Sequence, residues 1–91
     1  MKIIFNNNNK EKNLDEFVDL LLKLKTKDQL NNFLQGIFTP KELIEIPNRL
    51  LIVKMLKKGA PQQEIAKRIQ VGVATVTRGA REIQKGRFNN V

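Results

Sequence analysis

The chain has no cysteine, no histidine, no tryptophan and no tyrosine. Without cysteine there are no disulfides, no thiolate nucleophile and no zinc-thiolate site, and without histidine the commonest general base and metal ligand is gone. Metal binding is not expected. An enzyme is poorly supported, because no pair of carboxylates is singled out by spacing either. Long apolar runs are also missing: the longest is Leu50 to Val53, far short of the ~20 residues that span a bilayer. Ile3-Ile4-Phe5 is too brief for the core of a signal peptide. These absences predict a soluble, cytoplasmic protein with no membrane partner.

What is present fits one small globular domain. The 91 residues are 41% hydrophobic and 29% charged, with five phenylalanines as the only aromatics. A chain this short buries only about 60% of its unfolded surface, so its own core is marginal and a partner subunit is a natural remedy. Seventeen lysines and arginines against nine acidic residues give a net charge of +8, which attracts polyanions such as nucleic acid or anionic lipid. The charge is uneven: the net is +1 over residues 1–38, +3 over 39–60 and +4 over 61–91. The first thirteen residues, with Asn6 to Asn9 and then Lys10, Glu11 and Lys12, lack periodicity and read as a mobile N-terminal arm; the tail 86–91 reads likewise.

Between arm and tail the pattern is helical throughout, with no strand alternation and no internal repeat. Leu14, Phe17, Val18, Leu21 and Leu24 predict a first helix over about 14–25, with Asp15 and Glu16 suited to its N-terminal end. Thr26 with Gln29 resembles a capping box, and Leu30, Phe33, Leu34 and Ile37 carry a second stripe. Thr39-Pro40-Lys41-Glu42 is a stronger start, since Thr39 can cap, Pro40 suits the first turn and Glu42 can reach back. Pro47 predicts that the third helix, 40–58, is kinked or split near 46, after which Leu50, Leu51, Val53, Met55 and Leu56 resume the stripe up to Gly59. Pro61 then starts a short helix through Ile69, and Gln70-Val71-Gly72 breaks it before a last helix over about 73–85.

The segment 62–85 has the layout of a helix-turn-helix. Ile65, Ala66 and Ile69 supply one buried face, Val71 sits in the turn, and Val76 and Ile83 bury the second helix. A plain helical hairpin carries the same apolar pattern; the basic residues beside it favour a nucleic-acid reader. At about 100° per residue the last helix separates three faces. Val76, Ala80 and Ile83 face the core. Ala74, Thr77, Arg81 and Gln84 suit a DNA groove, since alanine can touch a thymine methyl, threonine can bond phosphate or base, and arginine and glutamine read purine edges. Thr75, Arg78, Gly79 and Glu82 make the third face. A mid-helix glycine costs about 1 kcal/mol relative to alanine, so Gly79 serves close approach, either of another backbone or of a flat ligand. Arg78 and Thr75 beside it would offer a carboxylate a guanidinium and a hydroxyl.

The string GVATVTRGA, preceded by GAPQQEIAKRI, TPKEL and FVDLLL, resembles the Trp repressor family of tryptophan-responsive bacterial DNA-binding proteins across about residues 14–85, the extent expected for the domain. The resemblance implies an all-α, intertwined homodimer that binds L-tryptophan between its core and its helix-turn-helix. It also implies a double-stranded operator and repression of tryptophan biosynthesis or transport genes. Carried over by position, Arg49 and Arg78 match the arginines that sandwich the indole, Arg78 also pairing with the carboxylate. Thr39 matches the threonine that opens the third helix, Thr75 a pocket residue, and Gly79 the glycine that leaves room for the ring. Gln62, Gln63, Val73, Ala74 and Thr77 match positions that contact phosphate or base edges; Arg81 joins them from its place on the helix.

The sequence departs from the family pattern in three places. Glu82 stands where tryptophan-binding members carry a serine near the ligand ammonium, and its carboxylate either pairs with that ammonium or bridges to Arg78 and closes the site. The family's final helix is absent or reduced to Arg87-Phe88, and the turn before the helix-turn-helix is one residue shorter, with Pro61 near the usual small polar cap. A regulator with another amino-acid effector or none therefore stays open, as do a ligand-independent helix-turn-helix protein and a basic helical protein-interaction module.

Overall fold

The computed structural model describes residues 9–91. Residues 1–8 of the expected arm lie outside the described residues. Five helices follow in order: α1 (Lys10–Lys23), α2 (Lys27–Ile37), α3 (Pro40–Lys57), α4 (Gln62–Ile69) and α5 (Val73–Gln84), with no strand among the described residues. The chain divides into two compact units, one ending at Ile37 and the other spanning Phe38–Val91.

In the first unit, α1 starts earlier than the apolar stripe does. Asn9 caps it, its side-chain oxygen accepting from the Lys12 N–H at 3.0 Å, so Lys10 to Asn13 form the first turn. The capping pair at the start of α2 is present with a shift of one residue. The Gln29 N–H donates to Thr26 Oγ1 at 3.1 Å, while the Gln29 side chain accepts from Lys25 rather than from Thr26 itself. Phe17 and Phe33 pack with ring centroids 6.0 Å apart and planes tilted by 40°. Neither helix buries a single residue in this chain: Leu14 is 63% exposed and Leu22 78%.

The second unit is held by α3, α4 and α5. Thr39 opens α3 with a complete capping box: its hydroxyl accepts from the Glu42 N–H at 3.2 Å, and the Glu42 carboxylate accepts from the Thr39 N–H at 2.9 Å. Pro47 does not split α3, which runs unbroken to Lys57. The proline forfeits one backbone bond, and burial of Ile52 and Val53 beyond it keeps the helix going. The core is small: Ile52, Ile65 and Val76, one from each helix, meet at its centre, ringed by Met55, Leu56, Ala60, Ala66, Ile69 and Val71. Gln70 ends α4 in the left-handed region at φ +61°, turning the chain so that the Val71 N–H bonds back to the Ala66 carbonyl at 3.1 Å.

The tail expected to be loose is instead folded into turns. The Gly86 N–H bonds the Ile83 carbonyl at 2.9 Å, and Gly86 takes φ +80°, which only glycine adopts without strain. The Arg87 N–H reaches the Glu82 carbonyl and the Val91 N–H the Phe88 carbonyl, both at 3.1 Å. From α3, the Lys57 ammonium donates to the Phe88 carbonyl and to the main-chain oxygen of Val91, the latter at 2.8 Å.

Candidate functional site

Helical spacing puts Arg49, Ile52 and Val53 on one face of α3, and Thr75, Arg78, Gly79 and Glu82 on one face of α5. Where the two faces meet they enclose, with Phe88, a cleft of about 310 Å³. That volume lies at the lower end of the range for small-molecule sites. Buried Ile52 and Val53 give it an apolar floor, and Arg49 and Arg78 extend at its mouth, both exposed. Gly79 leaves the space that a side chain would fill: a Cβ there would lie 3.5 Å from Ile52 Cγ2 and from Leu56 Cδ1. A smaller adjoining hollow, lined by Glu45, Asn48 and Val71, shares Arg49, Ile52 and Thr75 with the cleft.

Five of the six residues read from the sequence as effector ligands, Arg49, Thr75, Arg78, Gly79 and Glu82, line this one cleft. Thr39 does not. Its hydroxyl and its N–H are both engaged with Glu42 at the start of α3. Neither arginine forms an ion pair among the described residues, so both guanidiniums are free to meet an anion. Glu82 does not bridge to Arg78; its carboxylate pairs with Lys85 at 3.3 Å and Arg87 at 3.6 Å, on the side towards the tail. Phe88 and the floor residues Ile52 and Val53 went unassigned from sequence. The floor was detectable, being one turn along α3 from Arg49, whereas nothing local marks Phe88.

The other face of α5 carries Val73, Ala74, Thr77 and Arg81, beside Gln62 and Gln63 at the start of α4. Val73, Ala74, Arg81 and Gln63 are exposed, and Thr77 and Gln62 half-buried. The Thr77 hydroxyl donates to Gln62 Oε1 at 2.7 Å and lies 3.0 Å from the Val73 carbonyl. With its oxygen so occupied, the Gln62 amide has its N–H groups left for an external acceptor. Gly72 caps α5 without a side-chain bond, and no acidic residue stands in the first turn. The positive end of the helix dipole is therefore uncompensated.

Residues 12–89 match the family described as Trp repressor protein. The chain belongs to the Trp repressor family. Among its relatives are Trp operon repressor homologs of Vibrio vulnificus (strain YJ016), 34% identical over 70 residues that cover 76% of this chain and 69% of the relative, and of Vibrio atlanticus (strain LGP32), 34% identical over 73 residues covering 79% and 74%. The all-helical architecture agrees with the family fold. Trp repressor proteins are DNA-binding transcriptional repressors, and this chain is of that class. The family is regulatory and non-enzymatic and uses tryptophan as its corepressor. No group of three or more potential metal-ligating side chains occurs among the described residues, and no described helix is long and apolar enough to cross a membrane.

Proposed function

We propose that the protein is a tryptophan-dependent repressor: L-tryptophan enters the α3–α5 cleft and raises the affinity of a homodimer for a double-stranded operator that controls tryptophan biosynthesis or transport genes. The observation that supports this most is the convergence of two free arginines, a bare glycine and a threonine on one apolar-floored cleft in the same helix that carries the DNA-reading face. The ligand carboxylate meets Arg78, the indole lies between the Arg49 and Arg78 guanidiniums over Gly79, and the ammonium turns towards Glu82. Stacking of guanidinium on an aromatic face and a charge-assisted carboxylate bond are the contacts these groups make best. Gln62, Gln63, Val73, Ala74, Thr77 and Arg81 form the DNA surface, with phosphate drawn to the α5 N-terminus and Arg81 reaching a phosphate or a guanine edge.

The test is direct because the protein has no tryptophan or tyrosine of its own, so ligand fluorescence is read against a dark background. Titration with L-tryptophan should show saturable binding and a parallel rise in operator affinity. Arg78→Ala should lose about 1.5 to 3 kcal/mol of ligand binding, the worth of a charged hydrogen bond. Full operator binding without ligand, together with no fluorescence change at millimolar L-tryptophan, would replace this reading with that of a ligand-independent repressor.

A further inference from the structure

Phe88 is the one wall of the cleft that comes from neither α3 nor α5. It belongs to a stretch of turns, yet it is half-buried. Three ties hold the stretch, two of them on the Phe88 carbonyl itself. Lys57, at the end of α3, donates to the Phe88 carbonyl and to the main-chain oxygen of Val91, so one ammonium grips two points of the tail. Arg87 pairs with Glu82 through its side chain at 3.6 Å and bonds the Glu82 carbonyl through its N–H at 3.1 Å. The Val91 N–H closes the last turn on the Phe88 carbonyl. All three ties end on the backbone carbonyl of Glu82 or Phe88, residues that line the cleft themselves.

We propose that residues 86–91 act as a clasp that seats the Phe88 ring as the end wall of the cleft, making Phe88 a specificity-determining residue for the effector and Lys57 the residue that positions it. The proposal deepens the corepressor reading and rests on it for the identity of the ligand. A flat aromatic effector lying over Gly79 meets a second aromatic surface at Phe88, and aromatic pairs gain energy beyond area burial when their rings approach edge to face or offset. The clasp also accounts for Glu82. Its carboxylate is held by the side chains of Lys85 and Arg87, both exposed, so an incoming ammonium competes with partners that surface screening has already made weak.

The experiment uses the full chain and three variants, Phe88→Ala, Lys57→Met and Lys57→Arg, with two measurements. L-Tryptophan fluorescence gives affinity; hydrogen exchange at the Arg87 and Val91 amides reports the clasp without any ligand. Protected amides in wild type, lost in Lys57→Met and restored in Lys57→Arg, are expected. With them should come an affinity for L-tryptophan about tenfold weaker in Phe88→Ala and Lys57→Met and near wild type in Lys57→Arg. Tail amides that exchange at the free-chain rate in wild type overturn the clasp whatever tryptophan does. Unchanged affinity in Phe88→Ala overturns its role as a wall while leaving the corepressor reading intact. Protected amides with no tryptophan binding in any of the four proteins support the clasp and take down the corepressor reading alone.

Discussion

Gly79 is where helix stability and ligand access make opposite demands. Inside α5 a glycine is less favourable than alanine by about 1 kcal/mol, and an added Cβ would meet Ile52 and Leu56 at ordinary contact distance, 3.5 Å. The close approach anticipated from sequence is therefore one that a methyl tolerates. Gly79→Ala should raise the thermal midpoint, gaining about 0.5 to 1 kcal/mol. Gly79→Leu should fold and lose its response to L-tryptophan, read by ligand fluorescence. Glu42 yields a pH prediction at the same scale. The Thr39 N–H and then the Thr39 hydroxyl hold its carboxyl below the ordinary glutamate value, desolvation opposes them, and the Arg49 charge adds a smaller pull in the same direction. A lowered pKa in the folded state means that the stabilisation is complete above the unfolded-state value and disappears as pH falls through the folded one. Glu42→Gln should thus lower the thermal midpoint at neutral pH, and the gap from wild type should close in acid below the glutamate range.

At the scale of elements, what was legible in the sequence is what local chemistry decides. The Thr39–Glu42 box, the all-helical pattern and the turn at Gln70–Gly72 could be read because their partners lie within four residues of one another. That Pro47 does not split α3 could not, because the burial of Ile52 and Val53 beyond it is a property of the packed unit. The ordered tail was hidden for the same reason: Lys57 holds it across 31 and 34 residues of sequence. Thr75, Arg78, Gly79 and Glu82 fell on one cleft wall because helical periodicity aligns them on α5; Arg49, read from the family resemblance, joins them only through the packing of α3 on α5, and Thr39 does not line the cleft at all. The turn itself can be tested. Gln70 has φ +61° with a full side chain, a conformation that costs a non-glycine residue about 1 kcal/mol. Gln70→Gly should therefore stabilise the helix-turn-helix by about that amount, seen as a higher midpoint in urea with an unchanged slope.

The described residues enclose little interior for a chain of this length. Among the described residues only Ile52, Val53, Ile65 and Val76 are buried, while Leu14, Leu22, Ile44, Leu50 and Leu51 all present more than two-fifths of their surface to solvent. A small domain with so few enclosed side chains and so much apolar surface gains most by burying that surface in a second copy. A two-fold dimer would also set two reading helices about one DNA turn, ~34 Å, apart, the half-site spacing of dimeric helix-turn-helix proteins, the Trp repressor among them. The proposed dimer makes Leu51 the discriminating residue. It is 44% exposed in the single chain, so for a monomer Leu51→Glu should shift stability by no more than about 0.5 kcal/mol, as surface changes do. In a dimer that buries it, the same change places a carboxylate in an apolar interface and should dissociate the subunits. Wild type should sediment at about twice 10.5 kDa at micromolar concentration and melt at a temperature that rises with protein concentration. Leu51→Glu should sediment as one chain, melt lower and independently of concentration, and lose operator binding. A wild-type monomer, or a Leu51→Glu protein indistinguishable from wild type in both measurements, would remove this surface from any subunit interface.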